Sequence, residues 1–273
     1  MHPANHVRMI PGMEDTLRHL ERLHVRAWPA LESERIDGWL WRWSGGASQR
    51  ANSVSTLDFT GGDPVAALER VEARYRARGA PPRWHTFDGT RPACLPDLLR
   101  ERGYEAGETT LTMMATASPP TSKAPTSKDG APLPEVEATP DPTGEWLAVY
   151  LGAITESRRA VNQLILPRIP GPRAFFSVRR EGTVTSTALG VAHGGHAVAE
   201  CVATRAEARG RRGADAAMRA LLAWACSLGA HTVGLQVVET NASAVRLYQR
   251  LGFTVVCANR FWVRSERHSV TAP

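Results

Sequence analysis

Between Val202 and Met218 (VATRAEARGRRGADAAM) an apolar run passes through a loop of arginine and glycine into an alanine-rich segment with helical spacing. A strand that feeds such a loop into a helix start is a general device for holding phosphate. The first amides of a helix have no partner inside it, its dipole favours negative charge, and small residues let backbone come close. Arg205, Arg209, Arg211 and Arg212 add guanidinium groups that pair with phosphate oxygens two at a time. Taken alone, this reading competes with a solvated basic helix cap.

A second segment follows it. Asn241–Phe253 reads NASAVRLYQRLGF. Together the two resemble the GNAT superfamily of acyl-CoA N-acyltransferases, which carries an Arg/Gln-x-x-Gly-x-Gly/Ala loop after its fourth strand. Later in the chain that family carries Asn-x-x-Ala-x-x-Leu-Tyr-x-x-x-Gly-Phe. The second pattern is met in full at Asn241, Ala244, Leu247, Tyr248, Gly252 and Phe253. The first is met at Arg209 and Ala214, with Arg212 standing where its first glycine is expected. That arginine adds a side chain where the family brings bare backbone to a pyrophosphate, although Gly210 and Gly213 flank it.

The resemblance covers about residues 135–273. It implies acetyl-CoA as acetyl donor, with Arg209, Gly210, Arg211, Arg212, Gly213 and Ala214 around the pyrophosphate and Asn241 and Tyr248 nearby. It also implies that the strand edge Val202, Ala203, Thr204 hydrogen-bonds the pantetheine arm, the Val202 N–H polarising the thioester carbonyl. The reaction implied is transfer to a primary amine, expected on a small molecule, by direct attack within a ternary complex. Such chemistry needs a proton acceptor on the amine side and a donor for the leaving thiolate. By resemblance Tyr248 is the donor. Glu200 is the candidate base, directly or through water. An acid inside the apolar run VAECVAT costs free energy unless it is paired or functional, and period two puts it on one face with Val198 and Val202. His193 and His196, beside the preceding turn, remain alternatives as the base. No metal is implied.

The elements that must position these groups follow from periodicity. Gly144–Ile154, Glu156–Leu166, Ala214–Ser227 and Ala242–Arg250 have helical patterns, and Ala174–Arg180, Val184–Ala192, His196–Thr204, His231–Val238 and Phe253–Arg264 read as strands. The first half repeats part of this phrase. Helices over Val65–Arg78 and Cys94–Arg102 stop at Gly79 and Gly103, and strands follow over Arg83–Asp88 and Tyr104–Ala115. Gly79-Ala80 maps onto Gly229-Ala230 at an offset of 150, and LLRERGY onto LYQRLGF at 149. Earlier strands are expected at Trp39–Ser44 and Ala51–Leu57, with Trp39, Trp41 and Trp43 facing one side.

The fold class expected is α/β: tandem GNAT-like domains, each a mixed, mostly antiparallel sheet flanked by helices. The division expected along the chain is a degenerate domain at 1–115, a linker at 116–134 and the acetyltransferase domain at 135–273. Thr116–Pro134 has five prolines and both lysines of the chain and cannot bury a core. The first half lacks the chemistry. Its loop Thr60–Pro64 has no arginine and one acid, and Tyr248 maps onto Leu99. Arg50, Asn52 and Ser53 are its only residues considered for acceptor contact.

With 273 residues and 42% hydrophobic content the chain has material for two cores. The net charge of +6 is carried almost wholly by scattered arginine, so no nucleic-acid partner is expected. No apolar run reaches the length of a membrane span, and a cytoplasmic location is expected by default. Cys94, Cys201, Cys226 and Cys257 are dispersed and do not suggest zinc or disulfides; Cys201 and Cys226 are expected to be buried. A non-catalytic module that binds CoA or an acyl-CoA is the alternative to an enzyme.

Overall fold

The computed structural model describes residues 13–119 and 134–264. The first half carries α1 (Met13–Ala27), β1 (Glu32–Ile36), β2 (Trp39–Trp43), β3 (Val54–Ser55), α2 (Pro64–Arg76), β4 (Arg83–Thr86), α3 (Leu95–Glu101), β5 (Tyr104–Ala106) and β6 (Thr110–Thr116). The second carries β7 (Val136–Thr139), α4 (Gly144–Gly152), α5 (Glu156–Ile165), β8 (Arg173–Arg180), β9 (Thr183–His193), β10 (His196–Thr204), α6 (Gly213–Ser227), β11 (Thr232–Val238), α7 (Ala242–Arg250) and β12 (Thr254–Arg264). The segment expected as one strand over 104–115 is two, and 51–57 yields a short 3-10 turn and a two-residue strand. Helix α1 is absent from the elements read off the sequence.

Two compact units result, and they do not follow the expected division. One holds the chain through Pro29 together with Leu111–Cys257, and the other holds Ala30–Thr110 and the chain from Ala258. The reason is α1, whose Leu17, Leu20 and Leu23 are buried and whose packing partners are β9 and β10. Most of the expected linker, residues 120–133, lies outside the described residues.

In the larger unit the strands run β6-β11-β10-β9-β8-β7, with β10 and β11 parallel and β7 to β10 antiparallel to their neighbours. Helices cover both faces. Adjacent residues of β8 show this by alternation: Phe175 stacks edge-on against Trp146 of α4, and Phe176 against Trp224 of α6. Helices α1 and α4 therefore cover one face and α6 the other. The smaller unit has the order β1-β2-β3-β4-β12, with β5 also on β12. Its core gathers Trp39, Trp41 and Trp84 around Tyr75, with Trp43 against them, as the alternation of β2 requires. Asn52 serves there as a loop staple, accepting from the Ser44 and Gly46 amides at 2.6 and 2.8 Å, and Ser53 accepts from buried Arg42. Gly79, Gly103, Gly229 and Gly252 all stop their helices with positive φ, so the repeated phrase of the sequence is a repeated backbone event. Among the described residues no helix is long and apolar enough to cross a membrane.

Candidate active site

Strands β10 and β11 pair only from His196–Thr232 to Ala199–Leu235, although both continue beyond. Glu200 is the first residue of β10 beyond that last rung. At the same point β10 bulges against β9. Glu200 lies opposite Leu189 and Ala203 opposite Thr187, so one extra residue is inserted, and Cys201 takes a positive φ of 52°. The bulge changes which side chains share a face. Ala197 and Ala199 belong to the core beneath α6, and Val202 packs on that same core. Glu200 instead turns to α1. The alternation that would put Glu200 and Val202 together is thus broken at Cys201, which is half-buried rather than buried, as is Cys226.

Glu200 is 5% exposed, and its Oε1 lies 3.1 Å from Nδ1 of His24 in α1. Tyr248, on α7, is buried within the core beneath α6 and stacks edge-on with Phe253. Burial, and secondarily the Glu200 carboxylate, push the Tyr248 hydroxyl up to about 12. The phenol is therefore a proton-bearing donor at neutral pH. His196 is not part of this grouping. It starts β10, bonds Thr232 Oγ1 at 2.7 Å and lies against His19, about 13 Å of strand before Glu200. His193 is exposed at the end of β9.

The loop after β10 presents bare amides. Those of Gly210, Arg212, Gly213, Ala214 and Asp215 donate to no described residue, and the first bond of α6 runs from Ala216 N–H to the Arg212 carbonyl. Gly213 is required at this start: a Cβ there would lie 2.1 Å from Ser186 Oγ. Arg212 keeps the left-handed backbone that glycine favours, with φ 62°, and its guanidinium bonds Asp215 at 3.1 Å. Its side chain is thereby held on the first turn of the helix. The exposed Arg209 and Arg211 have no side-chain partner among the described residues, while Arg205 is tied to the Val184 carbonyl. Val202, Ala203 and Thr204 lie past the last rung to β11, half-exposed, with Thr204 Oγ1 bonded to Ser186 Oγ. Five bare amides and two free guanidinium groups fit a pyrophosphate.

Asn241 caps α7, its Oδ1 accepting from the Ala244 amide and the Ser243 hydroxyl. The matching loop of the smaller unit is closed to an anion. There the Asp63 carboxylate accepts from the Val65 and Ala66 amides at 2.8 and 3.3 Å, taking the place an anion would fill. His24 is the site residue that sequence reasoning missed. The signal available was the apolar spacing of Leu17, Leu20 and Leu23 in LRHLERLHVRA, which marks a buried helix face with His24 beside it.

Residues 15–262 match the family model described as probable histone acetyltransferase Rv0428c C-terminal. The uncharacterized N-acetyltransferase YobR of Bacillus subtilis is 28% identical over 253 residues, covering 92% of this chain and 99% of its own. The probable histone acetyltransferase Rv0428c of Mycobacterium tuberculosis is 27% identical over 246 residues, 89% of this chain and 72% of its own. Among solved structures, a GCN5-related N-acetyltransferase from Kribbella flavida superposes with a TM-score of 0.67 at 16% identity, covering 92% of this chain and 96% of that one. A tandem GNAT protein from the clavulanic acid biosynthesis pathway gives 0.60 at 12%, covering 77% and 74%.

Proposed function

The chain belongs to the family of the Rv0428c C-terminal acetyltransferases, within the GNAT superfamily, and on that footing we propose that it transfers acetyl from acetyl-CoA to a primary amine of a small molecule. The observation that carries this reading is the row of amides at 210 and 212–215 that have no partner among the described residues, in the loop that follows β10. These amides, with Arg209 and Arg211, bind the pyrophosphate. The free edge of β10 at Val202–Thr204 takes the pantetheine arm, and the Val202 N–H faces the thioester carbonyl.

The amine attacks directly within the ternary complex. A C–N bond forms and the C–S bond breaks. Glu200 takes the proton released by the nitrogen, and the thiolate receives one from Tyr248. The high pKa of Tyr248 keeps that proton available at neutral pH and makes its hydrogen bond to sulfur the main contribution before transfer. Both residues then return to their starting state by exchange with water.

A second reading, a lysine of a protein as acceptor, is favoured by the description of the matching family. The net charge of +6 weighs against a strongly basic target such as a histone tail, since like charges slow encounter. Thiol release from acetyl-CoA, measured with spermidine, tryptamine and an Nα-blocked lysine, separates the cases. Acceptor-dependent release with a small amine is expected. Release only with lysine would move the assignment to proteins. Binding of acetyl-CoA with no release from any amine would leave the non-catalytic module.

A further inference from the structure

Helix α1 lies far from the site in sequence, yet two of its residues hold the strands where they part. Glu200 and Gln236 are the first residues beyond the last rung between β10 and β11. His24 Nδ1 bonds the Glu200 carboxylate at 3.1 Å, and Glu21 Oε1 accepts from Gln236 Nε2 at 3.1 Å and from Thr112 Oγ1 at 3.2 Å. Glu21 and His24 are three residues apart and so share one face of the helix. Leu20, one residue earlier, sits over Gly234 so closely that a Cβ there would be 2.9 Å from its Cδ2.

We propose that His24 is a positioning residue for Glu200, donating from Nδ1 to fix the carboxylate that accepts the amine proton. The proposal rests on the reading of Glu200 as that acceptor. A carboxylate can only accept from the ring, so Nδ1 carries the hydrogen. Nε2, buried without a hydrogen-bond partner among the described residues, is the lone-pair nitrogen of that tautomer. The carboxylate cannot turn without giving up the His24 bond in a place where water does not replace it, since both side chains are at most 5% exposed. Helix α1 thereby completes a site whose other residues come from Glu200 onward.

The test uses the full chain at pH 8. Nitrogen-15 spectra of labelled histidine should show His24 as the Nδ1–H tautomer, with its resonances displaced in Glu200→Gln. An Nε2–H tautomer, or resonances indifferent to Glu200→Gln, would overturn the proposal. In kinetics with acetyl-CoA and the three amines named above, His24→Leu should lower kcat about tenfold to a hundredfold while KM for acetyl-CoA stays level. His24→Asn, whose side-chain N–H can stand in for Nδ1–H, should recover most of that loss. Wild-type turnover in His24→Leu, or equal loss in both variants, would count against positioning. Wild-type turnover in Glu200→Gln would instead remove Glu200 from the reaction, whatever His24 does.

Discussion

Tyr248 lies in the core beneath α6 and Glu200 turns to α1, so the two proposed proton handlers stand on opposite faces of the sheet, and both are buried. For Tyr248 the consequence is measurable. Tyr248→Phe keeps the ring and its packing against Phe253 and removes only the donor. We expect kcat to fall about a hundredfold, the lower end of what general acid catalysis supplies, with acetyl-CoA affinity unchanged. Because the hydroxyl is held up to about 12, its donor form persists throughout the ordinary alkaline range. A loss of rate centred near pH 9–10 that vanishes in Tyr248→Phe would contradict this placement. The helix that carries Tyr248 was legible because its motif is local: the helix start, the tyrosine and the stopping glycine lie within Asn241–Phe253. The partner of Glu200 was not legible, since the His24 contact spans 176 residues. Nor was the bulge, because its positive φ falls on a cysteine rather than a glycine.

At the level of elements, the start of α6 is where the proposed pyrophosphate site is made or lost. The sequence showed the loop and the arginines, but not how Arg212 would be tolerated at a glycine position. The structure supplies the reason: the backbone stays left-handed and the side chain is turned onto Asp215, which also pairs with Arg219. Gly213 is the stricter requirement, since even a methyl group there meets Ser186. We expect Gly213→Ala to cost about 1–3 kcal/mol in stability, as overpacking does, and to weaken acetyl-CoA binding by shifting the free amides. Thermal unfolding with and without acetyl-CoA checks both; an unaltered shift of Tm by the ligand would mean that these amides do not hold it. The same element in the smaller unit shows the opposite solution, with Asp63 closing its own helix start.

For the whole molecule, chain order and compact unit part company. The repeat offset of about 150 residues correctly announced two related phrases of helix, glycine and strand, and a linker rich in proline suggested cutting the chain between them. Composition carries no information about an N-terminal helix packed on strands of the other half. Leu17, Leu20, Leu23 and Trp28 are each at most 3% exposed. At roughly 1.5–3 kcal/mol per buried side chain they contribute about 6–12 kcal/mol as an upper estimate, comparable with the ~5–15 kcal/mol that stabilises a whole domain. A fragment of residues 135–273, lacking α1 and β6, is therefore expected to show no cooperative melting by circular dichroism. A sharp two-state transition in that fragment would show that α1 is dispensable.

In the proposed enzyme, acetyl-CoA sits at the start of α6 with Tyr248 beside the reacting sulfur. Calorimetric titration of acetyl-CoA into the intact protein, Arg209→Ala and Tyr248→Phe puts this arrangement to the test. We expect saturable binding to the intact protein, clearly weakened in Arg209→Ala and retained in Tyr248→Phe. No binding to the intact protein, or binding indifferent to Arg209, would contradict it.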